Sequence, residues 1–373
     1  MRFTIKREEF LKGLNIASRA IGSKVALVAL TNFKLDLDET GLHITGSNRE
    51  LTIKTFIPLK YGENDNIRNY KEGSTLLNAK ILCEIVRKME SDEITIDVID
   101  STIATISDNI SEYRLNCIRA SEYPQLDLEP EGTKLTLSRQ EFENLVSQTA
   151  FAASLKEQRP ILTAINLEAA GGTLTVTTTD SARMARKQIA IPGDIYFTSN
   201  VPAKMMVEVA HIVENCDSLD ISFSDKKALF SFGNTVVATR LVAGDYPNTK
   251  NIVPKITNYY LEVNASALIK AIDRANVLSL DRENVVDLTM SENGVEISAK
   301  SSQMGSAVDK IDLFKYEGGQ LKVSFNSEFV VSAIKALNCV DVTFLFVGEM
   351  KPFVIKNASD DSIIQIVTPV RTY

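Results

Sequence analysis

The first structural signal in the chain is an alternation of apolar and polar residues around a turn. In "FKLDLDETGLHI", Phe33, Leu35 and Leu37 share one face of an extended segment that precedes Gly41, as expected for a half-buried strand. Comparable segments are "INLEAAGGTLTV", with a Gly-Gly turn, and "VDLTMSENGVEI", with a turn signal at Asn293-Gly294. The pattern predicts three hairpins in equivalent positions.

Helical periodicity marks two further elements in the first third of the chain. In the first helix the predicted inward positions are Phe10, Leu14, Ala17 and Ile21, and the outward positions are Lys12, Asn15 and Arg19. In the second helix the predicted inward positions are Ile81, Ile85 and Met89, and the outward positions are Lys80 and Arg87. Helix starts are predicted after Asn78 and Asn326, and at the capping-box spacing of Ser138 and Glu141.

The second predicted helix recurs in three similar copies along the chain. "NAKILCEIV" begins at Asn78, "PAKMMVEVA" at Pro202 and "NSEFVVSAI" at Asn326, in steps of 124 residues. The first helix recurs as "FTIKREEFLKGL", "LTLSRQEFENLV" and "LEVNASALIKAI". A repeat of this length is a domain rather than a solenoid unit. We therefore predict an α+β chain of three tandem domains at 1–130, 131–254 and 255–373.

Composition and charge narrow the class of protein. Apolar residues make up 44% and charged residues 24%, which suits packed cores. The cysteines, at 83, 117, 216 and 339, have no paired spacing and are expected to be reduced thiols. The N-terminus lacks an apolar signal core and no apolar run reaches membrane-spanning length, so we expect a cytoplasmic protein without membrane contact. A net charge of −7 argues against a protein coated in nucleic acid.

Basic residues nevertheless recur at one helix position. Stepping by 124 residues, Arg87 becomes His211 and then Lys335, whereas Lys80 becomes Lys204 and then Glu328. A solvated helix face explains any one of these residues, but recurrence at one structural position favours a function. Positive charge gathered on equivalent helices would let an acidic chain meet DNA there and repel it elsewhere.

The ordered motifs resemble those of one family over the whole chain. "MRFTIKREEFLKGL", "TTDSARMA", "GDYPNTKNIVP" and "VTPVRTY" are similar, in order and spacing, to segments of the bacterial sliding clamps, the beta subunits of DNA polymerase III. The resemblance implies three clamp domains, each with two helices on antiparallel sheets. It also implies a head-to-tail homodimer whose six domains form a ring around duplex DNA. Such a protein is a non-catalytic processivity factor that needs no cofactor and no metal.

Family resemblance, added to the recurring helix positions, gives a set of DNA-facing residues. The set is Lys12, Lys24, Lys80, Arg87, Lys156, Arg159, Lys204, His211, Lys270 and Lys335. Solvated surface remains the alternative for each of them. Contacts with phosphates alone carry no sequence information, so the expected binding is sequence-independent.

The resemblance also implies a groove for the tails of partner proteins, namely the polymerase alpha subunit, the clamp loader and repair proteins. Its expected residues are Leu162, Thr179, Ser181, Arg183, Met184, Pro247, Ile252, Met350, Pro352, Thr368, Pro369, Val370 and Arg371. An apolar slot with a few polar groups suits a short hydrophobic peptide. The chain departs from the family pattern at Ser181-Ala182, usually Gly-His, and at Thr368 and Val370, often Met, which leaves partner preference open. Leu162, Met184 and Ile252 could alternatively be plain core.

The dimer contact implied by the resemblance pairs Val277 and Leu278 with a strand that contains Tyr113 and Leu115. An exposed edge strand invites pairing, although a covered edge would look the same in sequence. Two other classes of protein fit the sequence less well. A hydrolase built on Ser181 lacks a candidate base, and a ring-shaped scaffold that never meets DNA would have no use for basic helix positions.

Overall fold

The computed structural model describes residues 1–22, 27–213, 216–279, 284–312 and 314–371. Within them the α-helices are α1 (Arg7–Ser18), α2 (Ala79–Lys88), α3 (Arg139–Thr149), α4 (Ala203–Ile212), α5 (Ala265–Asn276) and α6 (Ser327–Leu337). Single 3₁₀ turns lie at Val28–Thr31, Ala120–Glu122, Ala150–Ala152 and Pro160–Thr163. The helices α2, α4 and α6 start at residues 79, 203 and 327, which confirms the 124-residue repeat.

Antiparallel strands make up most of the remainder. From the N-terminus they are β1 (Arg2–Lys6), β2 (Asn32–Leu37), β3 (Gly41–Ser47), β4 (Leu51–Pro58), β5 (Lys60–Tyr61), β6 (Asn64–Asp65), β7 (Ile67–Lys71), β8 (Gly73–Asn78), β9 (Glu93–Ile99), β10 (Ile103–Ser107), β11 (Glu112–Asn116), β12 (Thr133–Ser138), β13 (Ala164–Ala170) and β14 (Thr173–Thr179). They continue as β15 (Arg183–Ala190), β16 (Phe197–Pro202), β17 (Ser218–Phe223), β18 (Lys227–Phe232), β19 (Thr235–Arg240), β20 (Tyr259–Asn264), β21 (Val285–Ser291), β22 (Gly294–Ser301), β23 (Gly305–Ile311), β24 (Phe314–Glu317), β25 (Leu321–Asn326), β26 (Asp341–Phe346), β27 (Phe353–Asn357) and β28 (Asp360–Val367).

The chain divides into two compact units that cut across the three sequence repeats. Unit 1 comprises residues 1–139 and 208–241, and unit 2 comprises 140–207 and 242–373. Unit 1 holds a five-stranded sheet in the order β11-β10-β9-β1-β7 and an eight-stranded sheet in the order β12-β17-β18-β19-β4-β3-β2-β8. In the larger sheet, strands of the first and second repeats join where β19 pairs with β4.

Unit 2 repeats this plan. Its nine-stranded sheet has the order β16-β13-β14-β15-β28-β27-β26-β20-β24, and its four-stranded sheet has the order β23-β22-β21-β25. Here the second and third repeats join where β15 pairs with β28. The core between α5, α6 and these sheets contains tilted and stacked rings of Phe325, Phe344, Phe346 and Phe353.

Helix α1 packs closely on strand β3 because one residue there has no side chain. A Cβ on Gly46 would lie 2.3 Å from the carbonyl oxygen of Ala17, so only glycine permits this approach. The buried face of α1 consists of Phe10, Leu14 and Ala17, as predicted. Ile21, the fourth predicted member, is half-buried beyond the end of the helix.

Two local predictions need correction. Ile81 is 47% exposed, because the buried stripe of α2 contains Leu82, Cys83 and Val86 beside Ile85. The third hairpin forms as predicted, but Ser291 pairs with Gly294, so Glu292 and Asn293 form its turn and the glycine belongs to β22. The first two hairpins, around Gly41 and around Gly171-Gly172, are confirmed.

Candidate DNA-facing helices, partner groove and assembly edges

Asparagine caps fix where three helices begin. Asn78, Asn264 and Asn326 accept hydrogen bonds from backbone amides three residues later, at 3.1, 3.0 and 3.2 Å respectively. Each cap satisfies an amide that the first helical turn leaves unpaired. Helix α3 starts directly after Ser138, in agreement with the predicted capping box. Because α2, α4 and α6 begin 124 residues apart, the recurring basic residues take equivalent places on these three helices.

Unit 1 exposes all of its candidate DNA-facing residues that the structure describes. Lys12 on α1, Lys80 and Arg87 on α2 and His211 on α4 are exposed. Arg87 donates from Nη1 to Oε1 of Glu84 at 2.6 Å, so part of its charge is neutralised. Lys12 and Lys80 make no ion pair within the described residues, which leaves their charges to solvent or to a ligand.

Unit 2 likewise exposes its candidates. Lys156 and Arg159 lie in the segment before the 3₁₀ turn at Pro160–Thr163, and the other three are Lys204, Lys270 and Lys335 on α4, α5 and α6. Arg159 Nη1 lies 3.5 Å from Ser181 Oγ, at the limit of hydrogen bonding. Lys24 lies outside the described residues.

The turn between β14 and β15 shapes the candidate partner groove. Asp180 Oδ1 accepts hydrogen bonds from the backbone amides of Ala182 and Arg183, both at 2.9 Å. Thr179 Oγ1 accepts from Ser181 N at 3.1 Å and donates to Arg183 O at 2.6 Å. These bonds hold Ser181 at φ = +80°, a left-handed conformation that costs a non-glycine residue about 1–2 kcal/mol.

Arg183 braces this turn from within unit 2. Its guanidinium lies 4.4 Å from the ring centroid of Phe329 and 5.5 Å from that of Phe151. Its Nε donates to Oδ2 of Asp180 at 3.0 Å, and only 14% of the side chain is exposed. The residue thus fixes the turn, and little of its charge reaches solvent.

The other expected groove residues differ in burial, from fully buried to exposed at the surface of unit 2. Leu162, Thr179, Met184 and Pro369 are buried, and Met184 packs with Val354 and Ile366. Pro247, Pro352 and Val370 are half-buried, and Ser181, Ile252, Met350, Thr368 and Arg371 are exposed. The C-terminal segment is tied down because Thr368 N donates to Ala182 O at 2.9 Å and Val370 N donates to Ser324 O at 2.8 Å.

Tyr246 is a structural residue of this region that the sequence reasoning missed. Its hydroxyl accepts a hydrogen bond from Thr179 N at 2.9 Å and donates to Ala164 O at 3.4 Å. Burial raises the pKa of Tyr246 to about 12. The recurrence of "EYP" at Tyr123 and "DYP" at Tyr246 was the signal that would have found it.

One sheet edge and the end of one helix carry the candidate dimer contacts. Strand β11, with Tyr113 exposed and Leu115 half-buried, is the edge of the five-stranded sheet of unit 1, as predicted for "YRLNCI". Val277, which is 68% exposed, and half-buried Leu278 follow the end of α5 in unit 2. The neighbouring edge strand β23 exposes Val308, an apolar position that the sequence reasoning did not single out.

The remaining reactive side chains have structural surroundings. His43 lies on β3 with its ring centroid 4.7 Å from that of Phe56 and its Nε2 3.6 Å from Oδ2 of Asp38, and burial lowers its pKa. The four cysteines are thiols, as predicted, and burial raises the pKa of Cys83 to about 11. Among the described residues no group of three or more His, Cys, Asp or Glu side chains could hold a metal ion. None of the helices they form is long and apolar enough to cross a membrane.

Three repeats of two helices on antiparallel sheets, with exposed basic helix positions, define a protein of the DNA-clamp class. Family models for the DNA polymerase III beta subunit match the chain throughout: the N-terminal domain at residues 1–127, the central domain at 136–248 and the C-terminal domain at 250–371. The chain belongs to this family, the bacterial sliding clamps. It serves DNA replication as a non-catalytic processivity factor of DNA polymerase III.

Named relatives agree over their full length. The beta sliding clamp of Halalkalibacterium halodurans is 35% identical and that of Bacillus subtilis is 32% identical, with 100% of each chain covered. The crystal structure of the Bacillus subtilis DNA polymerase sliding clamp superposes with a TM-score of 0.95 at 31% identity. That of the Streptococcus pyogenes beta subunit superposes with a TM-score of 0.94 at 27% identity, and both cover all of each chain.

Proposed function

We propose that two copies of this chain close head to tail into a ring that encircles duplex DNA, with the basic helix positions toward the DNA. The observation that carries this proposal is the recurrence of Arg87, His211 and Lys335, all exposed, at one position of the repeated second helix. Lys80 and Lys204 repeat a second position, one residue into α2 and α4. A solvated face has no reason to keep such a register.

The charge distribution suits a protein that slides. A ring is held on DNA by topology, so a few phosphate contacts are enough and the net charge of the chain can stay at −7. Strong contacts would oppose sliding, and the local ion pair of Arg87 with Glu84 weakens one of them.

Retention on circular DNA tests encirclement directly. The protein is loaded onto a nicked plasmid by its cognate clamp loader with ATP, isolated with the DNA, and the circle is then cut once. Loss of bound protein on linearisation supports a topological link. Retention on the linear product would show a contact complex instead, and failure of a folded dimer to load would favour a scaffold that does not act on DNA.

A charge-reversal series tests the lining residues. Replacing Lys12, Arg87, Lys204 and Lys335 by glutamate should lower the number of rings loaded per plasmid, because each site then repels phosphate. The matched control replaces Lys71, Lys134, Lys226 and Lys300 by glutamate. These residues are exposed on strands and turns, and the change in net charge is the same. Equal loading by the two variants would show that the proposed lining residues do not face the DNA.

The second proposed surface is a groove on unit 2 that binds short hydrophobic peptide tails of the polymerase alpha subunit, the clamp loader and repair proteins. Leu162 and Met184 are buried whereas Ile252 and Met350 are exposed, and this combination supports an apolar slot that is open at one side. The sliding clamp of Pseudomonas aeruginosa has been crystallised with griselimycin, which makes that compound a useful competitor here. A Met184→Glu variant should lose peptide binding, whereas griselimycin should displace peptide from the unmodified protein.

Domain limits at 1–130, 131–254 and 255–373 complete the proposal, and the three matched family segments support them. The proposed dimer pairs Tyr113 and Leu115 on edge strand β11 of one copy with Val277 and Leu278, just after α5, of the other, because both surfaces expose apolar side chains. The proposed location is the cytoplasm, at replication forks.

A further inference from the structure

A polar cleft lies on one face of the nine-stranded sheet of unit 2. Its volume is about 520 Å³, and it is bounded by β13, β14, β15 and the segment 245–250 that crosses over them. Threonines at 173, 175 and 177 provide a row of hydroxyl groups, and Arg186 provides a cation. The cleft thus differs in chemistry from the apolar slot around Met184.

The cleft continues directly from the proposed groove. Thr179 pairs with Met184 across β14 and β15, and Thr177 pairs with Arg186 two residues further along the same two strands. Side chains two residues apart share a face, about 7 Å from each other along a strand. An extended peptide anchored over Met184 would therefore bring a side chain roughly two residues away over Arg186.

Arg186 has spare hydrogen-bonding capacity in this position. Its Nη2 donates to Thr249 O at 2.9 Å and to Thr249 Oγ1 at 2.6 Å. Its Nε is buried without a hydrogen-bond partner, and its Nη1 makes no hydrogen bond within the described residues. No carboxylate there lies within 4 Å of it, in contrast to Arg183, which Asp180 neutralises.

The other charged groups of the cleft are engaged or lie at its edge. Glu168 Oε1 lies 3.7 Å from Lys250 Nζ, and Asp245 is exposed on the crossing segment. Burial lowers the pKa of Arg186 while the charge of Glu168 opposes that shift, and the guanidinium stays protonated. Arg186 is therefore a half-buried cation without an anion at contact distance among the described residues.

We propose that this cleft is a subsite for a carboxylate side chain of the partner peptide, about two residues from the hydrophobic anchor, with Arg186 as the residue that selects it. The inference rests on the proposed peptide groove. A guanidinium matches a carboxylate in geometry as well as charge, and hydrogen bonds between charged groups are stronger than neutral ones. The threonine hydroxyls are further donors from which a carboxylate can accept hydrogen bonds.

The test compares two fluorescein-labelled synthetic peptides that differ in one atom group. Both are serine-rich decapeptides with one Leu-Phe pair, and each carries either Asp or Asn two residues from the pair, on either side in separate sets. Fluorescence anisotropy at low salt should show about fivefold tighter binding of the Asp peptide in one set, equivalent to about 1 kcal/mol. The preference should fall at high salt, because the cleft is partly open to solvent.

Variants then locate the preference. Arg186→Gln should bind the Asp and Asn peptides equally, Arg186→Lys should keep part of the preference, and the control Lys300→Gln, which removes the same charge outside the cleft, should keep all of it. Thr249→Val removes the hydroxyl that accepts a hydrogen bond from Arg186 Nη2 but keeps the backbone carbonyl that also does so. This variant controls for any effect of moving the crossing segment. It should change the affinity for both peptides by the same factor.

The outcomes separate the two proposals. If neither peptide binds the unmodified protein, the proposed groove fails and the subsite fails with it. If both peptides bind with equal affinity, or Asn binds more tightly in both sets, the groove stands and the carboxylate subsite is wrong. If Arg186→Gln weakens both peptides alike and keeps the Asp preference, Arg186 only supports the crossing segment and does not select the ligand.

Discussion

Replacing Tyr246 by phenylalanine removes a single hydroxyl from the base of the proposed groove. That hydroxyl accepts the hydrogen bond of the Thr179 amide at 2.9 Å and donates to Ala164 O at 3.4 Å. Thr179 is buried, so water does not readily replace the lost acceptor. An unpaired buried donor costs about 1–3 kcal/mol, and the variant should fold with a locally weakened β14 terminus.

Hydrogen exchange measures this local effect without requiring the whole chain to unfold. If opening of the β14 terminus controls exchange, a loss of about 1–3 kcal/mol accelerates exchange of the Thr179 amide roughly 5- to 150-fold. Mass spectrometry of peptic fragments that cover the β14–β15 turn would detect the change. Fragments from unit 1 should exchange as before.

The repeat provides a matched control. Tyr123 occupies the equivalent place in the first repeat, but its hydroxyl is buried without a hydrogen-bond partner within the described residues, among Ala29, Leu30 and Leu76. Tyr123→Phe removes the same atom, and it should leave stability unchanged or raise it, because an unpaired buried hydroxyl is itself unfavourable. Unchanged exchange at Thr179 in Tyr246→Phe, or equal damage from both variants, would refute the reasoning.

Four further changes have defined outcomes. Ser181→Gly should raise stability by up to about 1 kcal/mol, measured as the midpoint of urea unfolding, because glycine relieves the left-handed backbone but adds freedom to the unfolded chain; a lower midpoint would contradict this. The pKa of His43 is lowered from 6.5, so the unfolded state binds more protons, and stability should fall as the pH drops from 7 through the folded-state value; His43→Gln should flatten that slope, and an unchanged slope would assign it elsewhere. Val277→Glu should shift sedimentation toward the monomer, whereas Val340→Glu, at another exposed valine, should not. Deletion from Thr368 onward should abolish peptide binding while sedimentation still shows a dimer; a monomer would make the terminus part of the assembly contact.

Much of the candidate site was predictable because the helix signals are local. An asparagine cap and a 3.6-residue period act within one or two turns, and so the starts of α2 and α6 and the exposure of Lys12, Arg87 and Lys335 followed from the sequence. Periodicity is less reliable in a short helix with apolar residues on several sides. In α2, Ile85 and Met89 are buried as predicted, but Ile81, at the start of the same stripe, is exposed.

Other features depended on residues far apart in the chain. Arg183 was expected to line the groove, and the structure adds that Phe151 and Phe329, which are distant in sequence, lie against its guanidinium. Tyr246 and Arg186 make their hydrogen bonds, to Thr179 N and to Thr249 O, because the segment 245–250 crosses the strands β13 to β15. The recurring tyrosine before a proline marks Tyr246 in the sequence, but no short pattern shows which residues Tyr246, Arg183 or Arg186 contact.

The amino-acid sequence was enough to predict the threefold repeat, the helix and hairpin positions and the family. How the repeats share their sheets is visible only in the folded chain: β19 of the second repeat pairs with β4 of the first, and β15 of the second pairs with β28 of the third. Alternation along a strand specifies which face is buried, but it does not specify which strand lies alongside. Each of these pairs joins strands that lie more than 100 residues apart in the chain, so the pairing can be seen only in the folded protein.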